Sequence, residues 1–267
     1  MTRRPSVWVF AICWNDAHML PFFFRHYDDW VDRYVMFDDG STDGTLAVLT
    51  AHPNVEVRRF QRRVADSFVH SATLLQNEVW KEARGRADWA VVTAVDEHLY
   101  HPDVTAYLTR CRASGVTAIP ALGFHMLSET FPSAGERLCD TRPVGAPHWE
   151  MCKLSLLDPR ALEETNYSPG RHFAEPTGRV NYPETDELLN LHYKFMGRDQ
   201  VAARHRLLAS GLGEADKAEG MGKQYAWSRQ ELDAHWQSLA ATALDHRDPS
   251  VGFATHIERW WRGPRRR

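Results

Sequence analysis

The chain has 267 residues, of which 43% are hydrophobic and 25% are charged, a composition typical of a globular protein with one large domain. Its formal net charge of −3 gives no electrostatic basis for a nucleic-acid partner. The four cysteines show no C-x-x-C spacing and fit a reducing, cytoplasmic setting. No apolar run approaches the roughly 20 residues that span a bilayer, so we expect a soluble protein without a transmembrane segment.

The first half of the chain alternates predicted strands and helices. The apolar run Val7–Cys13 predicts a strand covered on both faces, and it ends at Asn15 and Asp16. The elements predicted after it are a helix over His18–Trp30, a strand leading to Asp38 and Asp39, a helix over Thr45–Thr50 preceded by Asp43, a weaker strand over Asn54–Phe60, a long helix capped by Ser67, and a strand over Asp88–Val95 that ends in Asp96 and Glu97.

Three of these predicted strands end in polar side chains, namely the pairs Asn15/Asp16, Asp38/Asp39 and Asp96/Glu97. Strands that alternate with helices predict a doubly wound α/β domain. Right-handed crossovers place the carboxyl ends of such strands at the same edge of the sheet, where ligands bind. The sequence therefore predicts that the three pairs converge on a site for a polar ligand and a cation.

The pattern changes in the second half, where longer loops and a mixed sheet are predicted. A turn-rich stretch covers Arg160–Glu187. The predicted elements are a helix over Val104–Arg112, strands over Val116–Leu122, Met151–Leu157 and Leu188–Tyr193, a helix over Arg198–Ala209 and a final helix over Ser228–Leu244.

Several motifs resemble those of the nucleotide-sugar-dependent glycosyltransferases of family 2 and their relatives. The segment Phe37–Thr45 resembles the nucleotide-binding turn of that family, and Ala11–Asp16 its opening strand with an Asn-acidic pair. Asp96 stands where the family has the second Asp of its Asp-x-Asp motif, although Ala94 replaces the first. The segments Pro169–His172 and Leu191–Phe195 resemble a downstream region of a divergent branch.

The resemblance implies a GT-A fold, with a Rossmann-like, mostly parallel central sheet flanked by helices. It implies one domain over 1–267, with a nucleotide-sugar-binding half (1–100), a mixed-sheet acceptor half (101–210) and a helical C-terminal extension (211–267). The implied activity is transfer of a sugar from a nucleoside-diphosphate donor, with UDP-sugar favoured, to an acceptor hydroxyl. Such transfer usually proceeds with inversion and with Mn²⁺ or Mg²⁺.

A cation also has a physical basis, because a diphosphate meets like charge in a crevice that holds Asp38, Asp39 and Asp96. We expect Asp96 to be the metal carboxylate, with Glu97 and His172 as possible further ligands. For the donor nucleotide the expected residues are Asn15, Asp16, Asp38, Asp39, His192, Lys194 and Arg198.

The catalytic base that deprotonates the acceptor is predicted to be Glu150, with Glu129 as second choice, because both follow the metal motif. Two alternatives stay open. One is a nucleotidyltransferase of the same fold, for which a Gly-rich basic phosphate loop is missing. The other is a catalytically degenerate binding module, suggested by Ala94. The sugar, the acceptor and the oligomeric state are not determined by the sequence.

Overall fold

A computed structural model describes residues 3–248 and 259–263 of the chain. The strands of this part are β1 (Val7–Cys13), β2 (Arg33–Asp38), β3 (Val55–Arg59), β4 (Trp89–Ala94), β5 (Glu97–Tyr100), β6 (Ala118–Ser128), β7 (Val144–Pro147), β8 (Lys153–Leu157), β9 (Leu189–Met196) and β10 (Leu244–Asp245). The helices are α1 (Leu20–Tyr27), α2 (Thr45–Ala51), α3 (Phe68–Glu78), α4 (Val104–Ala113), α5 (Leu138–Thr141), α6 (Arg198–Gly211), α7 (Glu214–Ala218) and α8 (Arg229–Ala240).

The strands of the described residues form one mixed sheet with the order β10-β7-β6-β8-β4-β1-β2-β3, and β9 pairs with β5 and β6. The block β3-β2-β1-β4 is parallel throughout. Beyond it the pairing turns antiparallel at β8, β6, β7 and β10, while β9 runs parallel to β6. The predicted α/β architecture with a mixed second half is therefore confirmed.

Strand β1 lies at the centre of the parallel block and is covered on both faces. Val7, Val9 and Ala11 belong to the apolar cluster that includes α1, whereas Phe10 belongs to the cluster that includes Ala72 of α3. Burial of alternate side chains on opposite faces explains why the whole strand is apolar. No helix of the described residues is long and apolar enough to cross a membrane.

The element predictions of the first half hold with small shifts at the ends. Helix α1 is shorter than the predicted His18–Trp30, because residues 17–19 form a turn on the carbonyl of Asp16. Ser67 caps α3, accepting a hydrogen bond from the amide of His70, as predicted. After α3 a 3₁₀ turn over Val79–Ala83 replaces the end of the predicted long helix.

The second half departs further from the predictions. The predicted strand Val116–Leu122 continues as β6 to Ser128. Gly123 lies inside β6, where it leaves room for the backbone of Met151. A β-carbon at position 123 would stand 2.2 Å from the Met151 carbonyl carbon. The predicted final helix over Ser228–Leu244 is wrong at its end, since α8 ends at Ala240 and Leu244 lies in β10. Residues 249–258 and 264–267 of the predicted helical extension lie outside the described residues.

Candidate functional site

The predicted convergence of strand ends is present in the structure. Cys13 at the end of β1 pairs with Asp38, and Ile12 pairs with Ala94 at the end of β4. The chain proceeds from β1 outward to β2 and β3 and then returns to the other side of β1 as β4. The crevice between Asp16 and Asp96 therefore lies at the topological switch point, where open α/β sheets bind their ligands.

Asn15 and Asp38 hold the loop after β2 in one conformation. The Asn15 Oδ1 atom accepts hydrogen bonds from the amides of Thr42 (2.7 Å) and Asp43 (3.2 Å). The Asp38 carboxylate accepts from the amides of Gly40 (3.0 Å) and Ser41 (3.1 Å). Both residues, which the sequence analysis assigned to the nucleotide, thus hold the backbone of this loop in place.

Asp39 forms an ion pair with an arginine that the sequence analysis did not identify. Arg62 approaches the two Asp39 oxygens at 2.7 and 3.3 Å, and its third nitrogen donates to the carbonyl of Gly211 at 3.0 Å. This contact joins the loop after β2 to the end of α6. The side-on geometry is that of a bidentate guanidinium–carboxylate pair.

Arg204 of α6 is a second arginine that the sequence analysis missed. It donates to Asp16 Oδ1 (2.5 Å) and to the carbonyls of Trp14 (3.0 Å) and Asn15 (2.8 Å). Burial raises the pKa of Asp16 to about 6, although the charge of Arg204 opposes this effect. Arg204 thereby fastens α6 to the end of β1 and brings positive charge to the crevice.

Asp96 projects from the end of β4 and meets His192 of β9, with the His192 Nε2 atom 3.2 Å from Asp96 Oδ2. The Asp96 side chain is 37% exposed, so it reaches the crevice. Burial would raise its pKa, but the charge and hydrogen bond of His192 bring the pKa of Asp96 down to about 2. On the other side of His192, its Nδ1 atom lies 3.1 Å from Nδ1 of His125.

Lys194 lies two residues after His192 and therefore on the same side of β9. Its ammonium nitrogen is 5.1 Å from the ring centroid of Tyr225. Within the described residues it has no hydrogen bond or ion pair. Burial lowers the pKa of Lys194 to about 8, against the opposing charges of Asp96 and Glu150. Lys194 is thus an unpaired cation near Asp96, as an anion-binding group requires.

Glu97 has a different environment from that expected of a metal ligand. It is 3% exposed, and its oxygens bind Lys153 (2.7 Å) and Arg171. Arg171 in turn donates to the carbonyl of Val92 in β4 at 2.6 Å. Burial raises the pKa of Glu97, but the charges of Arg171 and Lys153 hold it well below its ordinary range. Both oxygens are engaged inside the fold, so Glu97 anchors the loop of Arg171 to the sheet.

His172, the other predicted metal ligand besides Asp96, does not contact Asp96. Its Nδ1 atom lies 2.7 Å from the carbonyl oxygen of Glu150, and the charged groups that affect it are Lys153, Glu150 and Glu97. Burial, with the charge of Lys153, lowers the pKa of His172 to about 4. The ring is neutral at pH 7 and donates through Nδ1, which leaves Nε2 as an acceptor. The histidine beside Asp96 is His192 instead.

Two further predicted residues bind each other. Arg198 contacts both oxygens of Glu129, at 2.9 and 3.0 Å, and it also binds Asp233 at 2.9 Å. The Glu129 side chain is 68% exposed and accepts from the indole of Trp236 as well. This geometry supports neither Arg198 as a phosphate ligand nor Glu129 as a catalytic base.

Glu150 has no hydrogen bond or ion pair through its carboxylate among the residues described, and its charge acts on Lys194 and His172.

The protein offers few ligands for a divalent ion. In residues 3–248 and 259–263, no three His, Cys, Asp or Glu side chains are arranged to hold a metal together. Asp96 is the carboxylate that reaches the crevice from β4, with His192 beside it. This set fits the manner in which Mg²⁺ is usually bound, by one or two carboxylates together with phosphate oxygens of the substrate.

Comparisons with known proteins add no family assignment. No protein-family model matches the chain, and no curated protein matches it significantly.

Proposed function

We propose that the protein is a nucleotide-sugar-dependent glycosyltransferase of the GT-A type, with a UDP-sugar as the favoured donor. The observation that carries the proposal is the crevice at the switch point, where the acidic strand ends meet the cationic side chains of Arg204 and Lys194. A nucleoside diphosphate combines a polar nucleoside with two anionic phosphates, and such a crevice matches both parts.

In this proposal the loop after β2 receives the nucleoside. Asp39, which pairs with Arg62, begins that loop, and Asp38 and Asn15 hold its backbone in place. Lys194 contacts the diphosphate, because it is a cation without an ionic partner in the described residues and it interacts electrostatically with Asp96. Arg204 of α6 adds positive charge for the diphosphate and also binds Asp16.

Mn²⁺ or Mg²⁺ would be held by Asp96, with His192 as its neighbour, and would stabilise the negative charge of the departing nucleoside diphosphate. Glu150 is proposed as the base that takes the proton from the acceptor hydroxyl. Its carboxylate is unpaired among the residues described, and its charge acts on Lys194. Glu129 is a weaker candidate because Arg198 and Trp236 already bind it.

Thermal shift measurements with nucleotides test this proposal. Uridine, guanosine, cytidine, adenosine and thymidine diphosphates are each tested with Mn²⁺, with Mg²⁺ and with a chelator. We expect the largest metal-dependent shift with uridine diphosphate and the next with guanosine diphosphate. A ligand at 100 times its dissociation constant stabilises the native state by about 2.7 kcal/mol. A shift that the chelator does not change would mean that Lys194 and Arg204 neutralise the phosphate charge without a metal ion. The absence of a shift with every nucleotide, confirmed by calorimetry, would overturn the proposal.

A further inference from the structure

Two exposed aromatic side chains flank the proposed catalytic base. Trp149, 56% exposed, opens the 3₁₀ turn Trp149–Met151, and Phe173, 40% exposed, follows His172. The hydrogen bond between His172 Nδ1 and the Glu150 carbonyl (2.7 Å) joins the two segments. The two exposed aromatic residues are therefore the chain neighbours of two polar residues, Glu150 and His172, whose segments are hydrogen-bonded to each other.

Both segments are held firmly in place. The turn of Trp149 packs against β6, where Gly123 leaves room for the backbone of Met151, and His148 donates its amide to the Gly123 carbonyl at 2.9 Å. Phe173 packs on Trp260 with a centroid distance of 5.4 Å. The indole of Trp260 donates to the carbonyl of Cys152 at 2.9 Å. The exposed rings thus belong to an ordered surface.

The two polar residues of these segments carry hydrogen-bond acceptors that still lack a donor. Among the described residues, neither the Glu150 carboxylate nor the His172 Nε2 atom has a hydrogen-bond partner. A ligand for this surface must supply hydroxyl or amine donors at its edge and an apolar face to the aromatic rings. A pyranose ring has both properties, with its C–H bonds on its faces and its hydroxyl groups around its edge.

We infer that Trp149, Glu150, His172 and Phe173 form the acceptor subsite and that the acceptor is a saccharide. This inference deepens the proposed function, and the role of the saccharide as acceptor rests on that function. The binding of a saccharide by these side chains does not depend on it. One sugar hydroxyl donates to the Glu150 carboxylate, the group proposed to take its proton, and a second donates to His172 Nε2. The negative charge of Glu150 favours neutral sugars over uronic acids.

Saturation-transfer NMR with a panel of methyl glycosides tests the inference. The panel contains the common hexoses, N-acetylhexosamines and uronic acids, together with disaccharides, and it is applied to the full-length protein with and without uridine diphosphate. We expect signals from neutral glycosides and weak or absent signals from uronic acids. Trp149→Ala should weaken the affinity by about tenfold or more, because an apolar contact face is lost, and Phe173→Ala should weaken it less. Leu74→Ala, a change at an exposed leucine of α3, is the matched control and should bind like the wild type.

The outcomes separate the inference from the proposed function. Saccharide binding that depends on Trp149 without any nucleotide binding would support the saccharide site and overturn the glycosyltransferase proposal. Binding of uridine diphosphate without binding of any glycoside would leave that proposal standing and overturn the saccharide inference. Glycoside binding that is equally strong in the wild type, Trp149→Ala and Phe173→Ala would also overturn it.

Discussion

At the scale of single residues, the acidic side chains at the strand ends have partners, whereas the Lys194 ammonium group has no hydrogen bond or ion pair among the described residues. Asp16 is bound to Arg204, Asp39 to Arg62 and Asp96 to His192. In the described residues no carboxylate binds the Lys194 ammonium group directly. A partly buried cation without an ionic partner costs the protein free energy, and an anionic ligand offsets that cost. Lys194 is therefore the residue whose substitution reports most directly on phosphate binding.

The affinity for uridine diphosphate is predicted to depend on pH through Lys194. The pKa of Lys194 is lowered to about 8, so the ammonium form prevails below pH 8 and is lost as the pH rises above it. Diphosphate affinity should accordingly fall as the pH passes about 8, and Lys194→Met should lower it about tenfold or more at pH 7. Calorimetric titration at several pH values measures both effects.

Two substitutions serve as controls for this prediction. Lys194→Arg keeps the positive charge at high pH, so its affinity should vary less between pH 7 and 9. Lys217→Met changes a lysine that is 49% exposed and pairs with Glu214, and it should leave the affinity unchanged. An equal affinity in the wild type and in Lys194→Met would rule out contact between Lys194 and the diphosphate.

At the scale of elements, the crevice is assembled from segments that are distant in sequence. Strand β4 and the loop of residues 169–173 are joined by Arg171, which is 2% exposed and binds both Glu97 and the Val92 carbonyl. Arg171 also has a positive φ of 59°, a conformation that costs a non-glycine residue free energy. The buried ion pair holds the loop in this conformation, and the loop in turn orients His172.

Arg171→Met is predicted to lower the free energy of unfolding by about 3 kcal/mol, because it removes one partner of a buried charge. Urea denaturation monitored by circular dichroism measures this loss. The pKa of Glu97 is depressed below its ordinary value of 4.5. The ion pair therefore stabilises the fold fully above pH 4.5, and this stabilisation is lost as the pH falls below 4.5. The difference between wild type and variant should therefore be smaller at pH 3 than at pH 7. Arg179→Met, at an arginine that is 59% exposed, is the control. Equal stabilities at pH 7 would show that the ion pair contributes nothing net.

At the scale of the whole molecule, the sequence predicted the parallel half of the sheet better than the side chains that bind the acidic residues at the strand ends. Strand β1, α3 and the ends of β2 and β4 follow from apolar runs and capping residues, which are local signals. Arg204 binds atoms of residues about 190 positions earlier in the chain, and no spacing in the sequence indicates such a contact. The environment of Glu97 was not predicted for a related reason, since its partners Lys153 and Arg171 follow it by 56 and 74 positions.

The proposed activity depends on residues from both halves of the chain. Strands β1, β2 and β4 supply the acidic side, whereas β9 and α6 supply Lys194 and Arg204. Glu150 comes from the turn before β8. In the proposal, Lys194 links the donor and acceptor sites, because it interacts electrostatically with both Asp96 and Glu150.

Release of nucleoside diphosphate from sugar nucleotides tests the central claim most directly. The wild type is incubated with UDP- and GDP-linked hexoses and N-acetylhexosamines, with Mn²⁺ and methyl glycoside acceptors, and the free diphosphate is quantified by chromatography. We predict release from at least one UDP-sugar, increased by an acceptor, and a loss of at least about 100-fold in Asp96→Asn, which corresponds to about 2.7 kcal/mol of transition-state stabilisation. Circular dichroism verifies the fold of the variant, and Asp140→Asn, at a carboxylate that is 63% exposed, should retain activity. The absence of release from every sugar nucleotide, or full activity of Asp96→Asn, would contradict the account.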